Sequence, residues 1–397
     1  MSRHAVLLAS GAVVLALAGC APGIGSATTP PSATVDEVTP VIGSVLFPPV
    51  PVEGSDDRTH LVYELLVTNY ASSPVTLDRL DTLDAASGTA VGSIAAADLA
   101  GRTKPTGEQG YSAQLAGGQH AAVFLHVAVD AADAVPDGLV HELTVRIGSA
   151  PPVTERLAAT TVDKRTLPVL SPPLRGEGYL AADGCCDAIR HVRAILPING
   201  EPYLAQRYAI DWEQVDGDGR IYVGGRTDPA SYAIYGDEAY AVADGTVVLA
   251  MDGLPDQVPG PLEQIPPLAE ADGNFVVLDI GNGFYVNYAH LQPGSVAVRV
   301  GDRVSRGDVL GLVGNSGNSI APHLHLHVMD TASVLAAQGL PYVVDAFTVT
   351  GQGASTADFD RAEADGIPLV TVPGVTPTAR TDQMILDQSI VTLGGQR

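Results

Sequence analysis

The chain has 397 residues, 46% of them hydrophobic and 17% charged, which gives apolar material for packed cores and excludes wholesale disorder. Lys+Arg number 21 against 45 Asp+Glu, a formal net charge of −24, and a phosphate backbone repels such a surface, so nucleic acid is excluded as a partner. With 43 Gly, 29 Pro and 5% aromatic residues, the composition predicts many turns and short strands in an all-β chain.

The N-terminus opens with Arg3 and His4 and continues with an apolar run over 5–17 that is too short for a permanent span but fits the apolar region of a signal peptide. The run ends in Leu17-Ala18-Gly19-Cys20, which resembles the bacterial lipobox. The expectation is a lipoprotein signal peptide over 1–19, lipidation of Cys20, and a flexible Pro/Ser/Thr/Gly-rich tether over 20–40. The remainder would then be held outside the cytoplasm by its N-terminal lipid. No later stretch approaches 18 consecutive apolar residues, so no transmembrane helix is predicted. Of the remaining cysteines, Cys185 and Cys186 are adjacent and form either a vicinal disulfide or two free buried thiols.

Residues 41–165 read as an immunoglobulin-like β-sandwich, with β-branched runs at 61–68, 75–77, 121–129, 139–147 and 156–162 separated by turn signals. His60, His120, His126 and His141 are scattered through it and are read as satisfied or surface histidines. This module either positions the C-terminal part of the chain or binds a protein partner. The Pro-rich strip 167–174 marks a boundary, after which strands are predicted at 191–196, 203–212, 239–250, 274–290, 295–300 and 323–329. Together, 166–350 form a second antiparallel β domain, and 351–397 a polar extension in which 385–391 is an edge strand or part of a mobile tail.

Chemistry concentrates at Pro322-His323-Leu324-His325-Leu326-His327. Side chains on a strand alternate, so the three imidazoles share one face, an arrangement suited to zinc. The segments Tyr208-Ala209-Ile210-Asp211, Val242-Ala243-Asp244-Gly245-Thr246-Val247-Val248, Gly273-Asn274-Phe275-Val276-Val277-Leu278, Tyr288-Ala289-His290-Leu291, Val300-Gly301-Asp302-Arg303-Val304 and Gly311-Leu312-Val313-Gly314-Asn315-Ser316-Gly317 precede Pro322-His323-Leu324-His325. As an ordered set over roughly 190–330 they resemble the lysostaphin-type zinc endopeptidases. The resemblance implies an antiparallel β-fold with a groove and hydrolysis of peptide bonds in peptidoglycan cross-links, facing the cell wall. It implies zinc ligands at Asp211 and His325, with His290 and His323 flanking the metal-bound water, His323 as base and His290 as stabiliser of the oxyanion. Zinc would polarise the scissile carbonyl and lower the pKa of its water to about 7.

One position departs from the family. Its first ligand is a histidine four residues before the aspartate, and here Arg207 stands in that place, a cation with no lone pair to give. His191, on the expected strand before the turn at Ile198-Asn199-Gly200, is the replacement ligand. A three-residue loop sets His191 opposite Arg207, whereas a two-residue Asn199-Gly200 turn sets Val192 there. Arg207 would be freed to bind the carboxylate of a substrate peptide, and His327 would support His325 from two residues along the strand. The rival reading is a catalytically inactive relative whose groove binds cell-wall peptide or a partner hydrolase. Asp216-Gly217-Asp218-Gly219 reads as a solvated hairpin turn, 314–319 as a tight connection into the histidine strand, and no nucleophile-elbow motif is present.

Overall fold

Residues 38–394 are described by the computed structural model. The expected signal peptide, Cys20 and nearly all of the tether lie outside the described residues.

Strict alternation builds the first half of the fold. On the strand Arg58–Asn69, Leu61, Tyr63, Leu65 and Val67 point to one core, and Val123, Leu125 and Val127 do the same on His120–Asp130. These strands pair and belong to a sheet ordered Val41–Val45, Arg58–Asn69, His120–Asp130, Thr103–Pro105. The facing sheet runs Val153–Thr161, Gly138–Ile147, Val75–Asp84, Ala90–Ala95 and contributes Val75, Leu77, Leu143 and Val145 to the same core. Two antiparallel sheets closing on one core are the expected sandwich. Its histidines are bonded locally: His60 Nδ1 lies 2.9 Å from His126 Nε2, His120 Nδ1 2.7 Å from Thr68 Oγ1, and His141 Nε2 2.8 Å from the Tyr63 hydroxyl.

The second half is an antiparallel sheet of eleven strands. Its order is Arg303–Val304, Gly245–Met251, Asn274–Asp279, Tyr285–Leu291, Leu324–Met329, Ile210–Gln214, Gly176–Ala182, Ser389–Leu393, Phe347–Gln352, Thr378–Arg380, with Gly339–Leu340 added beside Leu324–Met329. The histidine strand thus sits between the strand bearing Asp211 and the strand bearing His290, and Asp211 lies directly across from His325.

Both sheet systems fall within one unit, Thr39–Arg397. One outer face of the sandwich is partly covered by the second half of the chain. Val62 packs into the core of the large sheet, and Phe124 packs with Leu204 and Ile195. Cys185 and Cys186 form the vicinal disulfide.

Several expected elements differ. Residues 191–196 are not a strand: Ile189–Val192 is a short helix, and the hairpin of Leu196–Ile198 with Glu201–Tyr203 begins only after it. Asn199 and Gly200 both take positive φ, 52° and 89°, the two-residue turn that matches strand twist, so Ile198 pairs with Glu201 and the ladder ends at Leu196. Residues 295–300 keep one ladder-like bond, Ala297 N to Leu310 O at 2.9 Å, and form no strand. In the C-terminal segment, Ser389–Leu393 is an interior strand rather than an edge, and the polar stretch before it contains the helix Thr356–Asp365, begun by Ser355, whose side chain accepts from Asp358 N.

Candidate metal centre

Register brings the first two donors together. Asp211 and His325 are opposite partners on neighbouring antiparallel strands, so their side chains rise from the same face, and Asp211 Oδ1 lies 2.8 Å from His325 Nδ1. His191 arrives from the short helix, with Nε2 3.3 Å from Asp211 Oδ2. The donor atoms of His191, Asp211 and His325 all lie within 4.8 Å of one another.

The remaining nitrogens fix the tautomers. His191 Nδ1 is 2.9 Å from the main-chain carbonyl of Asp183, and because a carbonyl only accepts, Nδ1 carries a hydrogen and Nε2 is the nitrogen that faces the cluster. His325 Nε2 lies 2.8 Å from His327 Nδ1, so His325 can donate there while Nδ1 faces Asp211. His327 thus lies within hydrogen-bond reach of His325, two residues along the same strand face. Two imidazole nitrogens and a carboxylate are a donor set that suits zinc, and they fit it here.

His290 and His323 complete the wall. Their Nδ1 atoms bond to the carbonyls of Ser316 at 2.7 Å and Ala321 at 2.8 Å, and both residues line a cavity of about 480 Å³ with His191, Asp211 and His325. His323 Nε2 is 3.3 Å from Asp211 Oδ1. Burial and the neighbouring His323 and His325 push His290 well below the usual imidazole range. Burial also opposes charge on His323 and His191, but the Asp211 carboxylate outweighs it, raising His323 and pushing His191 up to about 9. Asp211 itself is held well below the carboxylate range, burial being overcome by His191 and His323.

Arg207 is not at this site, and the substrate-carboxylate role expected for it is corrected. Its side chain is 2% exposed and its guanidinium is taken up: Nε and Nη2 donate to Glu64 at 2.8 and 2.7 Å, Nη1 to Gly339 O at 2.8 Å and Nη2 to Gln338 Oε1 at 3.0 Å. The expected route for His191 is corrected as well, since it reaches Asp211 from a helix and not across a hairpin from Arg207. Glu64, at the outward-alternating position of a sandwich strand, claims the arginine. Val192, the residue after His191, is buried in the main core, whose members include Cys185 and Cys186.

Sequence reasoning missed three carboxylates. Asp183 orients His191 through its carbonyl while its side chain takes Arg190 at 2.8 Å. Glu213, two residues beyond Asp211 and so on the same strand face, and Glu363, on the helix Thr356–Asp365, also line the cavity. The Glu213 and Glu363 carboxyl groups share a hydrogen bond; burial, then the facing carboxyl, raises Glu213 well above the usual range, and burial raises Glu363. Alternation was a usable signal for Glu213, whereas nothing local ties Glu363 to this sheet.

Residues 230–336 match the profile of Peptidase family M23. That span contains His290, His323, His325 and His327, while Asp211 and His191 precede it. The chain is 42% identical over 57 residues to the peptidoglycan DD-endopeptidase ShyA of Vibrio cholerae serotype O1, a match covering 14% of this chain and 13% of that protein. It is 34% identical over 104 residues to endolysin 2638A of Staphylococcus phage 2638A, covering 25% of this chain and 18% of that one. The chain thus spans less than a fifth of either relative. The catalytic domain of the antimicrobial peptidase lysostaphin from Staphylococcus simulans aligns at 23% identity and TM-score 0.23, covering 42% of this chain and 88% of that domain.

Proposed function

Since the chain carries a lysostaphin-type domain of Peptidase family M23, a family of peptidoglycan hydrolases, we propose that it is a zinc endopeptidase that cleaves peptide bonds in peptidoglycan cross-links, held outside the cytoplasm on the bacterial membrane by a lipid on Cys20. The observation that carries this reading is the third donor: His191 converges with Asp211 and His325 although Arg207 occupies the family's ligand position. An inactive relative would be favoured by a site one ligand short, and the presence of His191 removes that argument.

His191, Asp211 and His325 would hold the zinc. When bound, it supplies Lewis acidity toward a carbonyl oxygen and makes a water more acidic. His290 and His323 each have Nδ1 occupied by a main-chain carbonyl, so Nε2 is the working atom of both. A proton accepted at His323 Nε2 is stabilised by Asp211, which suits His323 to take it from the attacking water and return it to the leaving amine. His290 lines the same wall, and because its Nδ1 hydrogen is given to Ser316 O, it would donate to the charge that develops on the carbonyl oxygen through Nε2 once that atom carries a proton.

The test uses residues 20–397, purified and loaded with zinc, on cross-linked muropeptides. Cleavage with one bound zinc is expected, His191→Ala should lose the metal, and His290→Ala or His323→Ala should keep it while turnover falls about 10²–10⁴-fold. Full metal binding by His191→Ala, or no cleavage by the zinc-loaded protein, would overturn the reading.

A further inference from the structure

A second group of metal-binding side chains lies where the sandwich meets the second half of the chain. Alternation on Arg58–Asn69 turns His60 outward while Leu61 and Tyr63 fill the sandwich core. His126 projects from the same outer face of the adjoining strand, where it lies opposite Val62. Cys186 reaches both from the segment before His191. The donor atoms of His60, His126 and Cys186 all lie within 4.8 Å of one another, and His60 Nδ1 is 2.9 Å from His126 Nε2. His60 and Cys186 are buried, and His126 and Cys186 line a cavity of about 580 Å³ that gives an ion a route in.

The histidines are set up as ligands rather than as a bare pair. Asp56 Oδ1 lies 2.9 Å from His60 Nε2, so the carboxylate takes that hydrogen and Nδ1 turns a lone pair toward His126, the support that carboxylates give to metal-bound imidazoles. A single hydrogen, on His126 Nε2, then stands between the rings. Its transfer to Nδ1 of the same ring frees a second lone pair with no change of charge. The neighbouring cations are engaged elsewhere, since Arg102 and Arg193 both donate to Asp187. The third donor is masked, because Cys186 Sγ is bonded to Cys185 and it is a thiolate that binds metal. We propose that His60, His126 and Cys186 form a second metal site, for zinc or a similar borderline ion, that opens when the Cys185–Cys186 bond is reduced. A dithiol supplies the two electrons by exchange: it leaves as its own disulfide, and both cysteines become thiols. The incoming metal ion then displaces the proton of the Cys186 thiol. The disulfide and the bound metal are alternative states of one cysteine. None of this depends on the peptidase reading.

Cobalt(II) is the probe, because thiolate-bound cobalt absorbs in the near ultraviolet and the first centre, made by His191, Asp211 and His325, contains no sulfur. Residues 20–397 carry Cys20→Ser, so that Cys185 and Cys186 are the remaining cysteines. This protein is prepared oxidised, and also reduced with a dithiol that is then removed without air. A Cys185→Ala variant, which cannot form the disulfide, needs no reductant. One thiolate-bound cobalt per chain is expected in the reduced protein and in Cys185→Ala, and none in the oxidised protein or in Cys186→Ala. In the Cys185→Ala background, Asp56→Asn should weaken cobalt binding about 10- to 100-fold, and His60→Ala or His126→Ala at least as much. Circular dichroism identifies which variants are folded. Should Cys185→Ala unfold, the histidine variants are measured in the reduced protein with both cysteines present. The site is overturned by a folded, reduced protein without the absorption, by the same absorption in the oxidised protein or in Cys186→Ala, or by cobalt affinity that neither histidine variant changes.

Discussion

Arg207 and Glu64 are a fully buried ion pair between the sandwich and the large sheet, 2% and 0% exposed. Removing one member of such a pair strands the other, at about 3–5 kcal/mol, while replacing both with apolar residues is often neutral. Arg207→Met is therefore expected to lower unfolding free energy by about 3–5 kcal/mol, and Glu64→Leu with Arg207→Met to recover most of it. Urea unfolding of the two single variants and the double variant checks this; additive losses would remove the pair from the account. A second residue-level expectation concerns His141, buried against Tyr63 and donating through Nδ1 to Ala158 O at 3.1 Å. Burial lowers it from 6.5 to about 4. Between those values the unfolded chain binds the proton and the folded chain does not, so stability is full above pH 6.5 and falls as pH drops toward 4, by about 3 kcal/mol. His141→Gln should flatten that acid limb in a stability-versus-pH series, and an unchanged slope would assign it to other groups.

At the scale of elements, what could be read from the sequence follows from periodicity. The histidine strand has period two and its donors fall on one face, so His323, His325 and His327 were legible, and Asp211 lies directly opposite His325. His191 was legible as a donor but not by its route. A four-residue helix leaves too short a pattern to recognise, and Asn199-Gly200 admitted two registers until the positive φ values at both residues fixed one. The helix Thr356–Asp365 had a start signal in Ser355 and Asp358, but its acidic composition hid it. The connection over 314–319 was read as tight, and it is. Gly317 has φ 80°, and a Cβ there would sit 2.3 Å from Gly273 N, with Ser316 alongside offering its carbonyl to His290. Gly317→Ala should cost at least about 1–2 kcal/mol in stability and lower turnover by displacing that carbonyl. Thermal unfolding together with muropeptide hydrolysis tests both; wild-type turnover in the variant would free His290 from this loop.

At the scale of the whole molecule, the sandwich and the large sheet share buried surface. Val62 lies in the large sheet's core, Phe124 covers Leu204, and Glu64 answers Arg207. A fragment over 166–394 is expected to be insoluble or to unfold with a broadened transition, because it exposes those apolar contacts and leaves a buried guanidinium without its carboxylate. A soluble fragment with a sharp transition and zinc binding equal to the full chain would show that the sandwich is dispensable for folding. The large sheet also imposes an order in time. Ser389–Leu393 lies between Gly176–Ala182 and Phe347–Gln352, and Asp387, just before it, holds Cys185 O and the Gly184 N–H, the segment that leads to His191. A chain still being synthesised possesses Asp211, His323 and His325 long before it possesses the strand that secures the third donor. Until residue 393 has been delivered, the growing polypeptide lacks an interior strand of its sheet and the contacts that hold the segment leading to His191.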